Sequence, residues 1–255
     1  MPTDEDLGLE GLHVGDFIYL NYLRVENGQN LPDGYLSAEG IISEDVHLDP
    51  SSSSISSHLF CIHIQLQYSA HRELEEFNSL RIHDTDAKDL ATIKYQQALE
   101  RSYSNEKALN EQSLNRCKGT PVCFGDTIQL FHVLSEKYVT ILPDQLAEEE
   151  RENLKVVMSS HGSSLSWLKL TPRYKIDRVG ERISSKHEIA ISIFERGGEY
   201  MHVAQKEARE GRFREINCCL EVSWWAIHRY QGFEESIEEK QLLTSQLLVL
   251  QVFVC

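Results

Sequence analysis

Basic residues are scarce: 25 Lys plus Arg stand against 40 Asp plus Glu in 255 residues, a formal charge of −15 with His neutral. A protein that grips phosphate backbones needs a basic face, so the balance argues against general nucleic-acid binding. Glycine and proline are also few, 14 and 6, which excludes collagen-like and low-complexity architectures. A long apolar run is missing. The longest, Leu242 to Cys255, is interrupted by Ser245, Gln246 and Gln251 and falls short of the roughly 20 apolar residues that a spanning helix needs. The opening MPTDEDLGLEGL is acidic where signal and transit peptides are basic, and predicts neither. The six cysteines, at 61, 117, 123, 218, 219 and 255, include no pair with the spacing of a zinc knuckle or redox dithiol. They read as free, mostly buried thiols of a reducing compartment, with Cys218 and Cys219 in a strand. At 41% hydrophobic, the chain is one to two domains long and can bury a full core.

What is present is a weak internal repeat. Gly15-Asp16-Phe17-Ile18-Tyr19-Leu20, Gly125-Asp126-Thr127-Ile128-Gln129-Leu130 and Lys186-His187-Glu188-Ile189-Ala190-Ile191 place apolar residues at every second position, as a half-buried strand requires. Glu136-Lys137-Tyr138-Val139-Thr140 and Gly198-Glu199-Tyr200-Met201-His202-Val203 begin a returning strand in the second and third copies, and Gly197-Gly198 marks the turn. A bulky residue follows each opener at similar distance: Phe60, Trp167 and Trp224, at 45, 42 and 38 residues. Three such units predict a mainly β fold with threefold pseudo-symmetry, a closed antiparallel barrel to whose core each copy gives an aromatic. The β-trefoil satisfies this.

The openers are spaced unevenly, by 110 and then 61 residues, so a segment is inserted between the first and second units. Ser69 reads as an N-cap, and Ala91, Tyr95, Ala98 and Leu99 recur at helical spacing, which predicts a helix-turn-helix arm over 69–115. Whether the arm projects or covers an open barrel end stays open at this point. The run Ser51 to Ser57 reads as a mobile loop.

Motifs of chemistry are few. His58, Cys61 and His63 lie together but lack a fourth ligand. Glu148-Glu149-Glu150 with Glu152, and Glu234-Glu235 with Glu238-Glu239, read as solvated charge without the spacing of a calcium loop. There is no nucleophile elbow, phosphate loop or His-Glu-x-x-His helix. An enzyme is disfavoured; no catalytic residue, metal or cofactor is expected, and function by binding is the natural inference.

The order of segments resembles the N-terminal suppressor domain of the inositol 1,4,5-trisphosphate receptors, ligand-gated calcium-release channels. Leu12-His13-Val14-Gly15-Asp16 is similar to that family's first strand, Gly34-Tyr35-Leu36-Ser37-Ala38-Glu39-Gly40-Ile41-Ile42 to its second, and Leu59-Phe60 with Gln67-Tyr68-Ser69-Ala70 to its entry into the helical arm. The closest stretches are Gly119 to Thr140, Ser166-Trp167 through Pro172-Arg173-Tyr174-Lys175 to Val179-Gly180, and Glu215-Ile216-Asn217-Cys218 leading to Ser223-Trp224. The ryanodine receptors share the trefoil and arm, but the Tyr-Lys-Ile and Glu-Ile-Asn-Cys pieces favour the inositol trisphosphate branch.

The resemblance implies a flexible start over 1–11, a suppressor-like trefoil over 12–230, and over 231–255 a linker with the first strand of a second trefoil. It implies that Tyr174, flanked by Arg173 and Lys175, touches the neighbouring subunit of a homotetramer. A second surface, matching Ile41, Ile42 and Lys137, would couple the domain to the ligand-binding core, although Ser43, Asp45 and Ser56 stand where the family carries other residues. The implied role is an allosteric coupler on the cytosolic face of the endoplasmic reticulum, in a channel to which calmodulin-like regulators bind. No membrane insertion and no inositol trisphosphate binding are expected of these residues, because the family's basic cluster lies further on. The tail is expected to be either a strand cut off in a truncated gene model or splice form, or a strand pairing with an exposed edge of its own barrel; an isolated apolar strand is an aggregation liability, which favours the first. The alternatives are a ryanodine-receptor-like domain and a stand-alone protein- or carbohydrate-binding trefoil.

Overall fold

A computed structural model of the chain describes residues 11–51, 55–81, 90–207 and 213–231. Residues 1–10 of the flexible start expected over 1–11, and the strand expected within 242–255, lie outside the described residues, while Gly11 bridges to Ser184. Among the described residues, twelve strands run β1 (Phe17–Glu26), β2 (Gln29–Ala38), β3 (Val46–Asp49), β4 (Phe60–Ile64), β5 (Thr127–His132), β6 (Lys137–Leu146), β7 (Leu154–Ser159), β8 (Leu168–Pro172), β9 (Glu188–Ile193), β10 (Tyr200–Glu207), β11 (Arg214–Cys219) and β12 (Trp224–Arg229). Three helices, α1 (Ile55–His58), α2 (Ser69–Arg81) and α3 (Leu90–Cys117), fall between β3 and β5.

The described chain is mainly β. Antiparallel pairings β1–β4, β4–β5, β5–β8, β8–β9, β9–β12 and β12–β1 close a ring of six strands, which leaves those strands no free edge. The other six form three hairpins, β2–β3, β6–β7 and β10–β11, and β11 pairs with both β3 and β7. Each four-strand unit contributes two strands to the ring and one hairpin. The first unit also has a returning strand, reached through Asn27 and Gly28, both with positive φ as a two-residue type I′ hairpin turn requires.

The core corrects one expectation by a single residue. Phe60 is buried opposite Ile18, but the matching residues are Leu168 opposite Ile128 and Trp225 opposite Ile189. Trp167 and Trp224, expected inside, are only half-buried. Side chains alternate between faces, so a shift of one residue moves each indole out of the barrel. The Trp167 indole donates to the carbonyl of Leu66 instead.

The three openers are joined at one end of the barrel by backbone alone. Leu12 N–H donates to Ile183 (2.8 Å), Ile183 N–H to Val122 (3.0 Å) and Val122 N–H to Leu12 (2.8 Å). The next residue begins the same turn in each copy. The N–H of His13 donates to the Asp16 carboxylate, that of Cys123 to Asp126, and that of Ser184 to Nδ1 of His187.

The inserted segment is a pair of helices rooted on the second unit. Fully buried Gln129 accepts from the N–H of Leu66 (3.0 Å) and donates to the Tyr68 hydroxyl (2.6 Å). Ser69 was expected to cap α2 with its own side chain. The orphan N–H groups of Ala70 and His71 bond instead to the buried Glu106 carboxylate of α3 (2.8 and 3.0 Å), which also accepts from the Ser69 hydroxyl. An acidic side chain at a helix N-terminus satisfies unpaired donors and the helix dipole together. Of the run expected to be a mobile loop, residues 52–54 lie outside the described residues, and its end departs from that expectation. Residues 55–58 form α1, because His58 is buried with Nε2 3.2 Å from Asp49 and its ring stacked on Tyr35.

Two predictions follow from buried polar groups. Glu106→Ala leaves three donors unpaired and is expected to cost about 1.5–3 kcal/mol, with faster amide exchange across 69–81; Glu106→Gln loses less. Unchanged exchange in the alanine variant counts against the cap. His63 and His132 are pushed by burial to about 4. Both are neutral in the folded chain, whereas the unfolded chain takes up protons below about 6.5. Stability is therefore complete above about pH 6.5 and falls as pH drops toward 4, by at most about 1.4 kcal/mol per pH unit for each ring. Urea titrations between those limits test this, and the slope flattens in His132→Asn.

Candidate functional site

Two loop patches carry the residues singled out by the sequence. The first lies in the β8–β9 connection. The Glu188 carboxylate, at the start of β9, accepts from Asn30 Nδ2 (2.8 and 2.7 Å), Arg173 Nη1 (3.0 Å) and the Tyr174 hydroxyl (3.1 Å). It thereby ties the β1–β2 hairpin to the start of the loop. The Arg173 guanidinium lies 5.0 Å from the Trp224 ring centre and 5.7 Å from that of Tyr174, within cation–π range. Arg173 is thus a largely buried strut, while Tyr174 keeps 48% of its surface exposed and Lys175 faces outward with no ion pair among the described residues.

Beyond Tyr174 the loop makes two successive hydrogen-bonded turns. Asp177 N–H donates to the Tyr174 carbonyl (3.1 Å) and Glu181 N–H to that of Arg178 (3.0 Å). Gly180, with φ +88°, occupies the third position of the second turn, which favours glycine. Gly180 N–H and the Phe124 carbonyl (2.8 Å), with Phe124 N–H and the Glu181 carbonyl (2.9 Å), pin the loop to the second opener.

The second patch joins the β2–β3 connection to the β5–β6 turn. Ile42 is 88% exposed and Ile41 beside it is partly so. Gly40 has φ +68°, and a Cβ there would collide with Ser135 in the facing turn. Lys137 Nζ pairs with Glu44 (3.1 Å), whose carbonyl accepts from Met158 N–H. Ile41, Ile42 and Lys137 are therefore brought to one surface, with Ser43 and Asp45 beside them. Burial raises the Asp45 pKa, but the Ser43 hydroxyl and Lys155 ammonium outweigh it and hold the group below its ordinary range. Ser56 lies in α1. Beneath this patch the His132 ring donates through Nε2 to the Ser57 carbonyl, so its Nδ1 accepts from the Ser135 hydroxyl (2.8 Å).

Other clusters turn out to be structural. A surface cavity of about 660 Å³ is lined by Glu148, Glu149, Glu150, Glu152 and Glu221 among others. Part of this acidic run, expected to be solvated charge, is engaged. Glu150 accepts from Asn153, Asn217 and the Gln205 N–H, and Glu215 accepts from the N–H groups of Glu148 and Glu149. Asp177, Glu181 and His187 converge closely enough to hold an ion. A metal on Nε2 of His187 would need a protonated Nδ1, yet Nδ1 accepts the Ser184 N–H at 2.9 Å. The trio does not fit a metal. Nor do His58, Cys61 and His63 form a site: His58 is engaged with Asp49, and His63 Nδ1 lies 3.0 Å from the Tyr138 hydroxyl. The support residues Glu188 and Glu106 were not apparent in the sequence, where each reads as ordinary surface charge.

The family model "Inositol 1,4,5-trisphosphate/ryanodine receptor" matches residues 9–236. The inositol 1,4,5-trisphosphate receptor itr-1 of Caenorhabditis elegans is 25% identical over 241 residues, 88% of this chain. The chain spans 8% of that receptor's length. Among the described residues, no helix is long and apolar enough to cross a membrane. Matched over most of its length, the chain belongs to the inositol 1,4,5-trisphosphate/ryanodine receptor family.

Proposed function

We propose that this chain is an N-terminal suppressor and coupling domain of an inositol 1,4,5-trisphosphate-gated calcium-release channel, folded as a β-trefoil with a helical arm. The family match over residues 9–236 carries the reading. The closed six-strand ring with three hairpins and the two loop patches support it. In this reading the Ile41, Ile42 and Lys137 patch rests on the ligand-binding core of its own subunit. Tyr174 and Lys175, with Arg173 as strut, meet the core of the neighbouring subunit in a homotetramer at the endoplasmic reticulum, and calmodulin-like regulators are a further class of partner.

A coupler of this kind works by differential contact. If the patches touch the core more extensively in one of its two conformations, the domain biases that conformation by the difference in contact energy. A coupling of about 1–3 kcal/mol shifts ligand affinity roughly 5- to 150-fold. The patches suit this role because each is an exposed element held by hydrogen bonds from partly buried residues beneath it, so force at the tip is passed to the barrel rather than lost in loop motion.

The test is a chimeric channel in which this chain replaces the matching residues of the nematode receptor. Tyr174→Ala is expected to leave ligand affinity within about twofold and to reduce calcium release from permeabilised cells several-fold, since truncating one interface anchor costs about 1–2 kcal/mol. Unchanged release would refute the inter-subunit role. The chain alone is expected not to bind inositol trisphosphate, because the cavity of about 660 Å³ is lined mainly by carboxylates that repel phosphate. Calorimetric titration yielding micromolar affinity would overturn that expectation.

A further inference from the structure

The β8–β9 loop differs in charge from the rest of the molecule. Lys175, Arg178 and Arg182 are exposed and make no ion pair among the described residues, in a chain whose formal charge is −15. The same loop carries two apolar side chains more exposed than Tyr174: Ile176 and Val179, each at 82%. Both occupy inner positions of the two hydrogen-bonded turns, and Val179 packs one methyl above Gly125, where a Cβ would come within 2.7 Å of it. Tyr174, by contrast, spends its hydroxyl on Glu188.

Resting on the reading of this loop as an inter-subunit contact, we propose that Ile176 and Val179 are its principal anchors and that they dock into an apolar pocket rimmed by carboxylates on a protein partner. Water gains nothing from two fully displayed branched side chains, whereas their burial contributes in proportion to the apolar area removed. The turns are already formed, so little ordering entropy is lost on docking. The unpaired cations beside them select carboxylates on the partner, and that long-range attraction speeds encounter in a salt-dependent way. Asp177 and Glu181 flank the same side chains and disfavour the alternative, insertion into an anionic lipid surface.

The experiment measures binding of the full chain to a purified ligand-binding region of the nematode receptor by surface plasmon resonance. Ile176→Asp with Val179→Asp is expected to weaken binding at least about tenfold, with an unchanged thermal unfolding midpoint because both side chains are exposed. Lys175→Glu with Arg178→Glu is expected to remove most of the loss in affinity between about 50 and about 300 mM salt. If Tyr174→Ala abolishes binding while the aspartate pair leaves it intact, the inter-subunit reading survives and this inference falls. If the wild-type chain does not bind at all, both fall. If the aspartate pair releases the chain from phosphatidylserine vesicles but not from the protein, a lipid surface is the partner and the inference is likewise overturned.

Discussion

The cycle of backbone hydrogen bonds among Leu12, Val122 and Ile183 is the constraint on which the fold depends. Each residue donates to one and accepts from the other, and all three are buried. Removing any one opener would strand a donor and an acceptor away from water, a cost comparable to losing a hydrogen bond outright. The cycle joins segments more than a hundred residues apart at its widest, so it ties all three units together at one end of the barrel. Because backbone atoms do the joining, the side chains around it can vary. An Asp, an Asp and a His close the same turn in the three copies.

With the barrel fixed, its connections are free to carry function. The β8–β9 loop is pinned at both ends, by Glu188 at one and Phe124 at the other, and what lies between is displayed rather than packed. The β2–β3 loop is likewise wedged against the β5–β6 turn at Gly40. Binding surfaces on loops need such scaffolding, since an unsupported loop loses in ordering entropy what it gains in contact. Glu188 and Arg173 are mostly withdrawn from solvent, and His132 lies fully buried beneath the second patch, so part of each patch's shape is set from below.

Local patterns in the sequence conveyed the strands well and the long-range supports poorly. Alternation revealed the openers because a period of two is written within six residues. It did not resolve Trp224 from Trp225, for two adjacent indoles satisfy the pattern equally and only the register of β12 on β9 decides between them. The arm's helices were visible from their spacing. Their attachment was not, because Glu106 lies 37 residues from Ser69 and carries no motif. Glu188 is the same case: a strand-opening acid whose three partners come from the β1–β2 hairpin and the β8–β9 loop. Tyr174 was legible only through family resemblance, and Ile176 and Val179 stood out only once their exposure was seen.

The helical arm has a mechanical consequence. Glu106 fixes α3 to the start of α2 near the barrel, and the 28-residue helix continues for about 24 Å from Glu106 to its distal end at the usual rise per residue. A rigid rod held near one end multiplies angle into displacement: a tilt of about 5° at the root would carry the far end about 2 Å on that length. Gln129 binds the arm's root and also belongs to a barrel strand, so distortion of the second unit would reach the rod directly. The arm is therefore a lever whose root is held by the buried Glu106 carboxylate and by Asn110, which exchanges two hydrogen bonds with the Gln67 backbone.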